Sequence, residues 1–533
     1  MGAARFYLYY FTAAAIFFSA GLSLFSQEIP HPVNNTGIYE FLDELANDNI
    51  ISLISAVKPY TRLYIAGKLK EAESKREMLN GRQAKELGFY LKDFGKETGE
   101  EPGWVKRRDL FYYKDSLFSM TANPVFGGEI FLNSEGKATY WRNGAEVRAY
   151  IKNWGFYASL RDNHEKPLLG MPDYLTSREG GHLKNSTDWS EMQGGVTFAW
   201  KWGYTGLIKE KLTWGNNYNG ANIFGGNNPT FIHFRLQLNP VRWFTFNYFH
   251  GWLNSMVVDS SRSYLVTNSY GSDYREVYHR KYIAANLFTF TPLKNLNISA
   301  GNSIVYSDLG VFPAYLIPVF FYKSVDHSVN SGINNMNSQM FIDVSSRQIS
   351  HLHLYATLFA DELSVSRFFK KDEWNFFSWK GGARLSDWPL QNVAATAEFT
   401  YNYPLVFQHF VPTLTFQSNN YNLGHYLRDN SREWFFSVSW KPVRAFSAGL
   451  WYCDAVRGPD YNEAGGSRVG NPPLASVEWH NRNGGFRAQY QPVNDLYLWM
   501  ILSAGNITGD SRRSPAYFEG RKVTVNAGFT FGF

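Results

Sequence analysis

The 533-residue sequence contains a single cysteine, Cys453. One thiol excludes an intramolecular disulfide and any zinc site built from several cysteines. The sequence also has no P-loop, dinucleotide fingerprint or nucleophile elbow, and no nucleic-acid-binding motif. No linker rich in Pro, Ser or Gly interrupts the chain after Tyr112. These absences disfavour a nucleotide-dependent enzyme, a nucleic-acid partner and a division of the chain into several domains.

Long hydrophobic runs are scarce, and the mean hydropathy of −0.33 excludes a helical membrane protein. The exception lies between Phe6 and Leu24, behind Arg5 and before Ser26. We interpret residues 1–26 as a secretory signal peptide, and an uncleaved transmembrane helix is the open alternative. Its removal takes away Arg5 alone among the charged residues, so the net charge of +6 falls to +5. This weakly favours anionic partners such as acidic glycans or lipopolysaccharide.

Aromatic residues are abundant, at 18% of the chain, with 34 Tyr and 17 Trp. A chain that is aromatic yet hydrophilic on average is typical of a transmembrane β-barrel, which has aromatic girdles around a polar lumen. Its last segment, from Lys522 to Phe533, alternates apolar with small or polar residues without a fault. This period of two predicts a strand whose apolar face meets lipid, with the last strand of a soluble β-sandwich as the alternative. The terminal Phe resembles the signal read by the barrel insertion machinery, an expected partner during biogenesis.

A repeated turn gives the number of strands. Five turns share a proline followed by an aliphatic residue and a short polar step; the prolines are Pro240, Pro292, Pro389, Pro442 and Pro492. A spacing near 50 residues is two strands plus one long loop, and the one double gap is filled by a turn at Ser345–Arg347. With turns at Lys152 and Lys201 and a hairpin at Ser134–Gly136, the spacing predicts an all-β fold: a closed antiparallel transmembrane barrel of about 18 strands over residues 109–533.

Residues 27–108 read as a small α-helical region. Ile38, Phe41 and Leu45 follow helical spacing, Thr61 is a suitable N-cap for a second helix, and Leu87 begins the apolar stripe of a third. We expect these helices to pack against each other and against the near end of the barrel, in the periplasm. The expected location of the protein is the outer membrane of a Gram-negative bacterium.

We expect the long loops between the strands to be extracellular, and two of them have unusual compositions. The loop that begins at Trp214 is rich in Asn and Gly, and it places Tyr218 close to Asn216 and Asn217. Aromatic faces beside amide groups suit sugar recognition, although an ordinary flexible loop has the same composition. The other loop, from Val311 to Tyr322, is too apolar to extend into water. We expect it to fold inward or to pack over the mouth of the barrel, where it would restrict any pore.

This second loop also carries a family resemblance. Tyr315-Leu-Ile-Pro-Val-Phe-Phe-Tyr is followed by Asn334-Asn335, Asp343, His351, Tyr355 and the pair Asp361-Glu362. This order resembles the Wzi-type capsule assembly proteins, and the segments that start at Tyr39 and Tyr60 are similar to the helical region preceding the barrel in that family. The resemblance implies an eighteen-stranded outer-membrane barrel, plugged rather than open, that holds capsular polysaccharide as a lectin.

Composition and resemblance together give the candidate glycan-binding residues: Trp214, Asn216, Asn217, Tyr218, Asn334, Asn335, Asp343 and Asp361. The predicted function is to bind and retain surface polysaccharide, capsular or exopolysaccharide, and to contribute to capsule assembly or attachment. A porin or substrate-specific channel is the alternative. The expected partners are this polysaccharide and the lipid and lipopolysaccharide of the outer membrane.

The sequence contains few residues arranged for catalysis or metal binding. His351 and His353 lie two apart on a predicted strand, but a third ligand is missing, so lumen-lining residues are favoured over a metal site. Asp343 and Asp361 could be the acid and base of a hydrolase, but a lumenal charge network is favoured. Ser350 and His351 are adjacent, so they point to opposite faces of a strand and cannot form a catalytic pair. We therefore predict no enzymatic activity, no cofactor and no metal.

Overall fold

The computed structural model describes residues 28–98, 109–170, 187–329, 335–461 and 469–533. Eighteen antiparallel strands form a closed barrel in which each strand pairs with its neighbours in sequence. Closure comes from the last strand pairing with the first, with Val525 opposite Leu132. The predicted fold class is therefore confirmed. The predicted signal peptide lies outside the described residues.

The strands are β1 (Phe118–Asn133), β2 (Gly136–Ile151), β3 (Trp154–Lys166), β4 (Asp188–Trp200), β5 (Gly203–Glu210), β6 (Phe231–Val241), β7 (Phe244–Val258), β8 (Tyr278–Leu293), β9 (Leu296–Ser307), β10 (Met336–Ser346), β11 (Leu352–Glu362), β12 (Phe376–Ser386), β13 (Val393–Asn402), β14 (Ser431–Val443), β15 (Phe446–Arg457), β16 (Trp479–Tyr490), β17 (Leu496–Gly509) and β18 (Gly520–Phe531). A short strand, Phe111–Lys114, pairs with β1 beyond the end of β18.

The predicted turns from Lys152 onward all join consecutive strands at one end of the barrel, which we call the short-turn end. The predicted hairpin at Ser134–Gly136 joins β1 and β2 at the other end. Pro240, Pro292 and Pro442 are not in the turns themselves but close to the ends of β6, β8 and β14. The pairing register shifts beside each of them. A proline lacks the N–H that a ladder needs, so it is tolerated where a strand stops pairing regularly. The opposite end, which carries the longer connections, is the long-loop end.

The two faces of the strands have opposite chemistry. On β6, Ile232 and Phe234 are 49% and 39% exposed on the outer wall, whereas His233 and Arg235 are buried in the lumen. The last strand repeats this pattern with its apolar residues outward. A soluble sandwich would bury the apolar face instead. An apolar outer wall around a polar interior is the arrangement that lipid requires.

Three helices close the short-turn end: α1 (Thr36–Asn47), α2 (Arg62–Glu73) and α3 (Gly81–Phe94). As predicted, Thr61 caps α2, its hydroxyl accepting from the Tyr64 N–H at 3.2 Å. A capping box of Asn80 and Gln83 starts α3. Turn residues such as Asn295, which donates to the carbonyl of Ile51 at 3.2 Å, attach the helical region to the barrel.

The described residues contain no helix of the length and apolarity needed to cross a bilayer.

Two long loops fold into the lumen, and we call residues 211–230 and 403–430 together the lumen plug. This corrects the expectation that the Asn-rich loop lies outside the barrel. Trp214, Ile223, Phe224, Phe407, Phe416 and Leu423 of the plug form one apolar core with the inward-facing Phe249, Phe341 and Phe359 of the wall. The helical region joins this core, because Val57–Lys58 pairs with Thr213–Trp214. The loop turns inward because its apolar side chains find aromatic partners there.

The apolar loop between β9 and β10 folds in the opposite direction. We call residues 308–329, which include α4 (Tyr322–Val329), the outer strap. Tyr315 and Tyr322 are buried against Tyr248, Ile304 and Tyr306, side chains that share the outward face of β7 and β9. The prediction that this loop folds inward or covers the mouth is therefore wrong. Its apolar residues pack on the apolar outer wall.

Candidate functional site

The lumen brings together several of the residues that the sequence singled out. Trp214 is only 2% exposed, and its ring meets Phe224 and Phe249 edge-on at 5.2 and 5.3 Å between ring centroids. Asn216 donates from its backbone N–H and its side-chain amide to both oxygens of Asp343, at 2.9 and 2.5 Å. Thr357 completes the set by donating to Asp343 at 2.7 Å. These residues hold the first turn of the plug against β10 and β11.

Tyr218 connects the plug to three other elements. Its hydroxyl donates to Asp43 on α1 and lies 2.8 Å from Nδ1 of His353. Its backbone N–H donates to Glu398 on β13 at 2.8 Å. Burial raises the pKa of Tyr218, and the neighbouring Asp43 carboxylate adds to the effect. Asn217 makes a local bond, its amide donating to the Gly215 carbonyl at 2.9 Å.

The remaining candidates lie apart from this group. Asp361, near the end of β11, accepts from Asn337 at 2.9 Å and from Gln339 at 3.2 Å. Asn335 immediately precedes β10, and Asn334 lies outside the described residues. Asp361 and Asp343 have separate sets of partners, so the geometry gives the two carboxylates no common reacting centre.

Ionic contacts join α1 to neighbouring residues of the barrel. The sequence predicted a lumenal charge network at Asp343 and Asp361 and missed this one. Arg347 pairs with Asp43, and the guanidinium of Arg384 lies 4.7 Å from the centre of the Tyr218 ring. Burial alone would raise the pKa of Asp43, but Arg347, His353 and Arg384 lower it well below its usual value. The available signal was Arg347, a charged residue at the predicted turn. Nothing local in the sequence indicated that its partner lies on α1.

The two histidines considered for a metal have different surroundings. His351 lies in the turn before β11, where its Nδ1 is 2.8 Å from Asp48, rather than on a strand face with His353. Glu44, Asp48 and Asp387 are the one group of carboxylates, among the described residues, close enough together to share an ion. Arg82 already bonds Glu44. This group is therefore a contact between α1, α3 and the β12–β13 turn.

The side of the lumen opposite the plug encloses a cavity of about 360 Å³, which we call the vestibule. Inward-facing residues of β1–β4 and β16–β18 line it, and residues 33–36 reach its short-turn end. Arg487 enters it from β16 and donates to Gln489 at 2.6 Å. Arg142 enters from β2 and bonds the C-terminal segment through the carbonyl of Gly532, at 3.0 Å. Sequence reasoning missed this site because its residues come from both ends of the barrel sequence.

Aromatic side chains and amides complete the lining of the vestibule. Trp499 donates to the Asn526 side chain at 3.0 Å, and the Tyr140 hydroxyl donates to Asn163 at 2.8 Å. The indole N–H of Trp189 is buried, and among the described residues it has no acceptor. The vestibule therefore offers ring faces, amide edges and two guanidinium groups in one concave space.

No protein-family model matches the chain, and no curated protein matches it. Among solved structures, the chain is similar to Wzi from Escherichia coli, an outer membrane protein described as involved in group 1 capsule assembly and as a carbohydrate-binding β-barrel. The TM-score is 0.59 at 12% identity, covering 95% of this chain and 99% of Wzi. OccD3 and OprD from Pseudomonas aeruginosa have TM-scores of 0.43 and 0.41, both at 11% identity. The matches to OccD3 and OprD cover 83% and 81% of this chain, and 98% of each of those two proteins. The chain thus has a Wzi-like barrel fold.

Proposed function

We propose that this protein lies in the outer membrane of a Gram-negative bacterium and retains a surface polysaccharide there. The helices at the short-turn end face the periplasm, the long loops face the outside, and the outer wall contacts lipid and lipopolysaccharide. The role in capsule assembly described for the structurally similar Wzi supports this choice among glycan-related functions.

The observation that carries the proposal is the filled lumen. In a channel, inward positions at mid-barrel are polar and face water. Here Phe249, Phe341 and Phe359 occupy such positions and pack against Trp214 and Phe407 of the plug. Removing one such aromatic side chain from a packed core costs about 3–5 kcal/mol. A plug held by this many contacts is a stable part of the fold and not a gate that opens readily, which favours binding over transport.

The eight candidate residues then have two kinds of role in the proposal. Trp214, Asn216, Tyr218 and Asp343 are bonded to each other or to the wall, so we propose that they hold the plug beneath the outer surface. Direct contact between glycan and Asn217, Asn334, Asn335 or Asp361 stays a prediction.

We propose that exposed rings beyond the barrel make the stacking contacts. The hairpin of Tyr264–Asn268 and Gly271–Arg275 extends from the long-loop end, and Tyr270 at its tip is 98% exposed. Tyr274, on its second strand, is 52% exposed. Stacked rings of this kind contribute about 0.5–1.5 kcal/mol each. Contacts repeated along a polymer add up through avidity.

Deleting the gene should release the glycan into the medium without lowering its total amount. In the complemented strain, a Tyr270→Ser, Tyr274→Ser double variant should release part of it while inserting normally. Thr267→Ala, Ser272→Ala is the matched control, because it removes a hydroxyl pair of the same hairpin, 2.9 Å apart, and no ring. The control should retain the glycan as the wild type does.

A substrate-specific channel is the second candidate, and the vestibule favours it because the plug leaves this side of the lumen unfilled. If the deletion strain keeps its surface glycan and loses uptake of a small solute, the channel function replaces the retention function.

A further inference from the structure

The vestibule has the composition of a binding site for an anionic sugar. Arg487 is exposed to the cavity, and its bond within the described part of the chain goes to the neutral Gln489. Among the described residues, Arg142 likewise bonds neutral oxygens, those of Thr530 and Gly532. The carboxylate that lines the cavity, Glu129, accepts from Asn526 at 3.2 Å. Both guanidinium groups therefore line the cavity, where Glu129 is the side-chain carboxylate that offsets them.

The other lining groups select for a ring that carries hydroxyls. Trp499 and Tyr140 line the cavity, and aromatic rings stack on the C–H face of a pyranose. Their polar atoms are fixed by Asn526 and Asn163, so the rings are held in position before any ligand arrives. A cavity of about 360 Å³ lies in the range of small-molecule sites, about 300–1,000 Å³.

We propose that the vestibule binds a pyranose unit bearing a carboxylate, as in a uronic acid. Arg487 holds the carboxylate and the aromatic residues hold the ring. Planar guanidinium groups bind carboxylates through paired charge-assisted hydrogen bonds, which a neutral sugar cannot form. The inference rests on the proposed function, since it names the class of glycan, and it adds a site inside the barrel to the exposed rings outside.

The test measures binding of tri-galacturonate and of maltotriose to the purified, detergent-solubilised full-length barrel by titration calorimetry. Tri-galacturonate should bind, and maltotriose should bind at least tenfold more weakly. Arg487→Gln should weaken tri-galacturonate binding about tenfold and leave the weak maltotriose binding unchanged. The matched control is Arg482→Gln on the same strand, because the Arg482 side chain is 60% exposed and bonds His480 and not the vestibule.

Equal binding of the two trisaccharides, or wild-type affinity in Arg487→Gln, would overturn the proposal. Trp499→Phe is a second variant, which keeps a ring but loses the bond to Asn526, and it should weaken both ligands. Inorganic sulfate should compete poorly with tri-galacturonate for the vestibule. If the two bind equally well, the vestibule is a general anion site, which also contradicts the inference.

Two further arms separate this inference from the proposed function. In the first arm, proteoliposomes that contain the wild-type protein are placed in galacturonate. If they swell, the vestibule passes a free solute through the barrel, and the retention function fails. If the deletion strain releases glycan and the purified barrel does not bind tri-galacturonate, the retention function stands and the vestibule inference fails.

Discussion

Asn286 and Asn302 are Cα partners on β8 and β9, and the amide of Asn302 donates to Asn286 at 2.7 Å on the outer wall of the barrel. Asn286 in turn donates to the carbonyls of Pro318 and Phe320 at 2.9 Å each. Asn302 accepts from the N–H of Tyr322 at 2.9 Å. Irregular backbone against a lipid-facing wall needs such partners, because lipid offers none. The asparagines therefore explain how the outer strap lies on this wall.

Asn286→Leu should loosen the strap. The change leaves the Pro318 carbonyl without its side-chain donor and the Phe320 carbonyl with only the longer bond from Asn302, at 3.3 Å. A buried group left unsatisfied costs about 1–3 kcal/mol. We expect a lower temperature for the heat-induced gel mobility shift and faster protease cleavage within residues 308–329. Ile298→Leu, at an outward site on β9 that is 41% exposed, is the control and should change neither. Unchanged cleavage in Asn286→Leu would show that the strap does not depend on this bond.

Arg347→Met should strongly destabilise the contact between α1 and the lumen. The guanidinium is fully buried and also donates to Asn47 at 2.7 Å and Ser55 at 3.1 Å. Removing one partner of a buried ion pair costs about 3–5 kcal/mol. Chemical unfolding in detergent measures this loss. Arg512→Met, at an arginine whose side chain is 67% exposed, should cost less than about 1 kcal/mol.

A double variant, Arg347→Met with Asp43→Asn, separates the ion pair from packing. It removes the charge that Arg347→Met leaves unpaired, so it should be more stable than the sum of the two single changes predicts. Strict additivity would mean that the two side chains do not interact.

Asp387 should make stability depend on pH. Burial, and then the nearby Glu44 carboxylate, raise the pKa of Asp387 from 3.8 to about 8. A carboxyl whose pKa is higher in the folded state binds its proton more tightly there. Its contribution to stability is thus complete below pH 4 and is lost as the pH rises toward 8. Asp387→Asn stays neutral, so its unfolding temperature should fall less than that of the wild type between pH 5 and 8. Parallel curves would contradict this.

Strand faces and turns could be predicted because both depend on neighbouring residues. The alternation in β18 shows which side chains face outward, and prolines such as Pro442 mark where pairing stops. The direction in which a long loop folds depends instead on distant partners: Asp343 and Glu398 for the plug, Asn286 and Asn302 for the strap. One signal was available, since the two asparagines occupy outward positions where lipid would leave an amide unpaired. The vestibule gave no such signal, because Arg142 and Arg487 come to line one cavity only when β18 closes onto β1.

The most direct test of the filled lumen is single-channel recording in planar bilayers. The wild type should give no steady conductance, because the plug and the helices at the short-turn end close the lumen. A variant in which residues 214–228 are replaced by a short Gly-Ser linker should give discrete conductance steps, provided that its heat-modifiable mobility shows an intact barrel. Stable ion-conducting pores in the wild-type protein, equal in size to those of the shortened variant, would contradict the account.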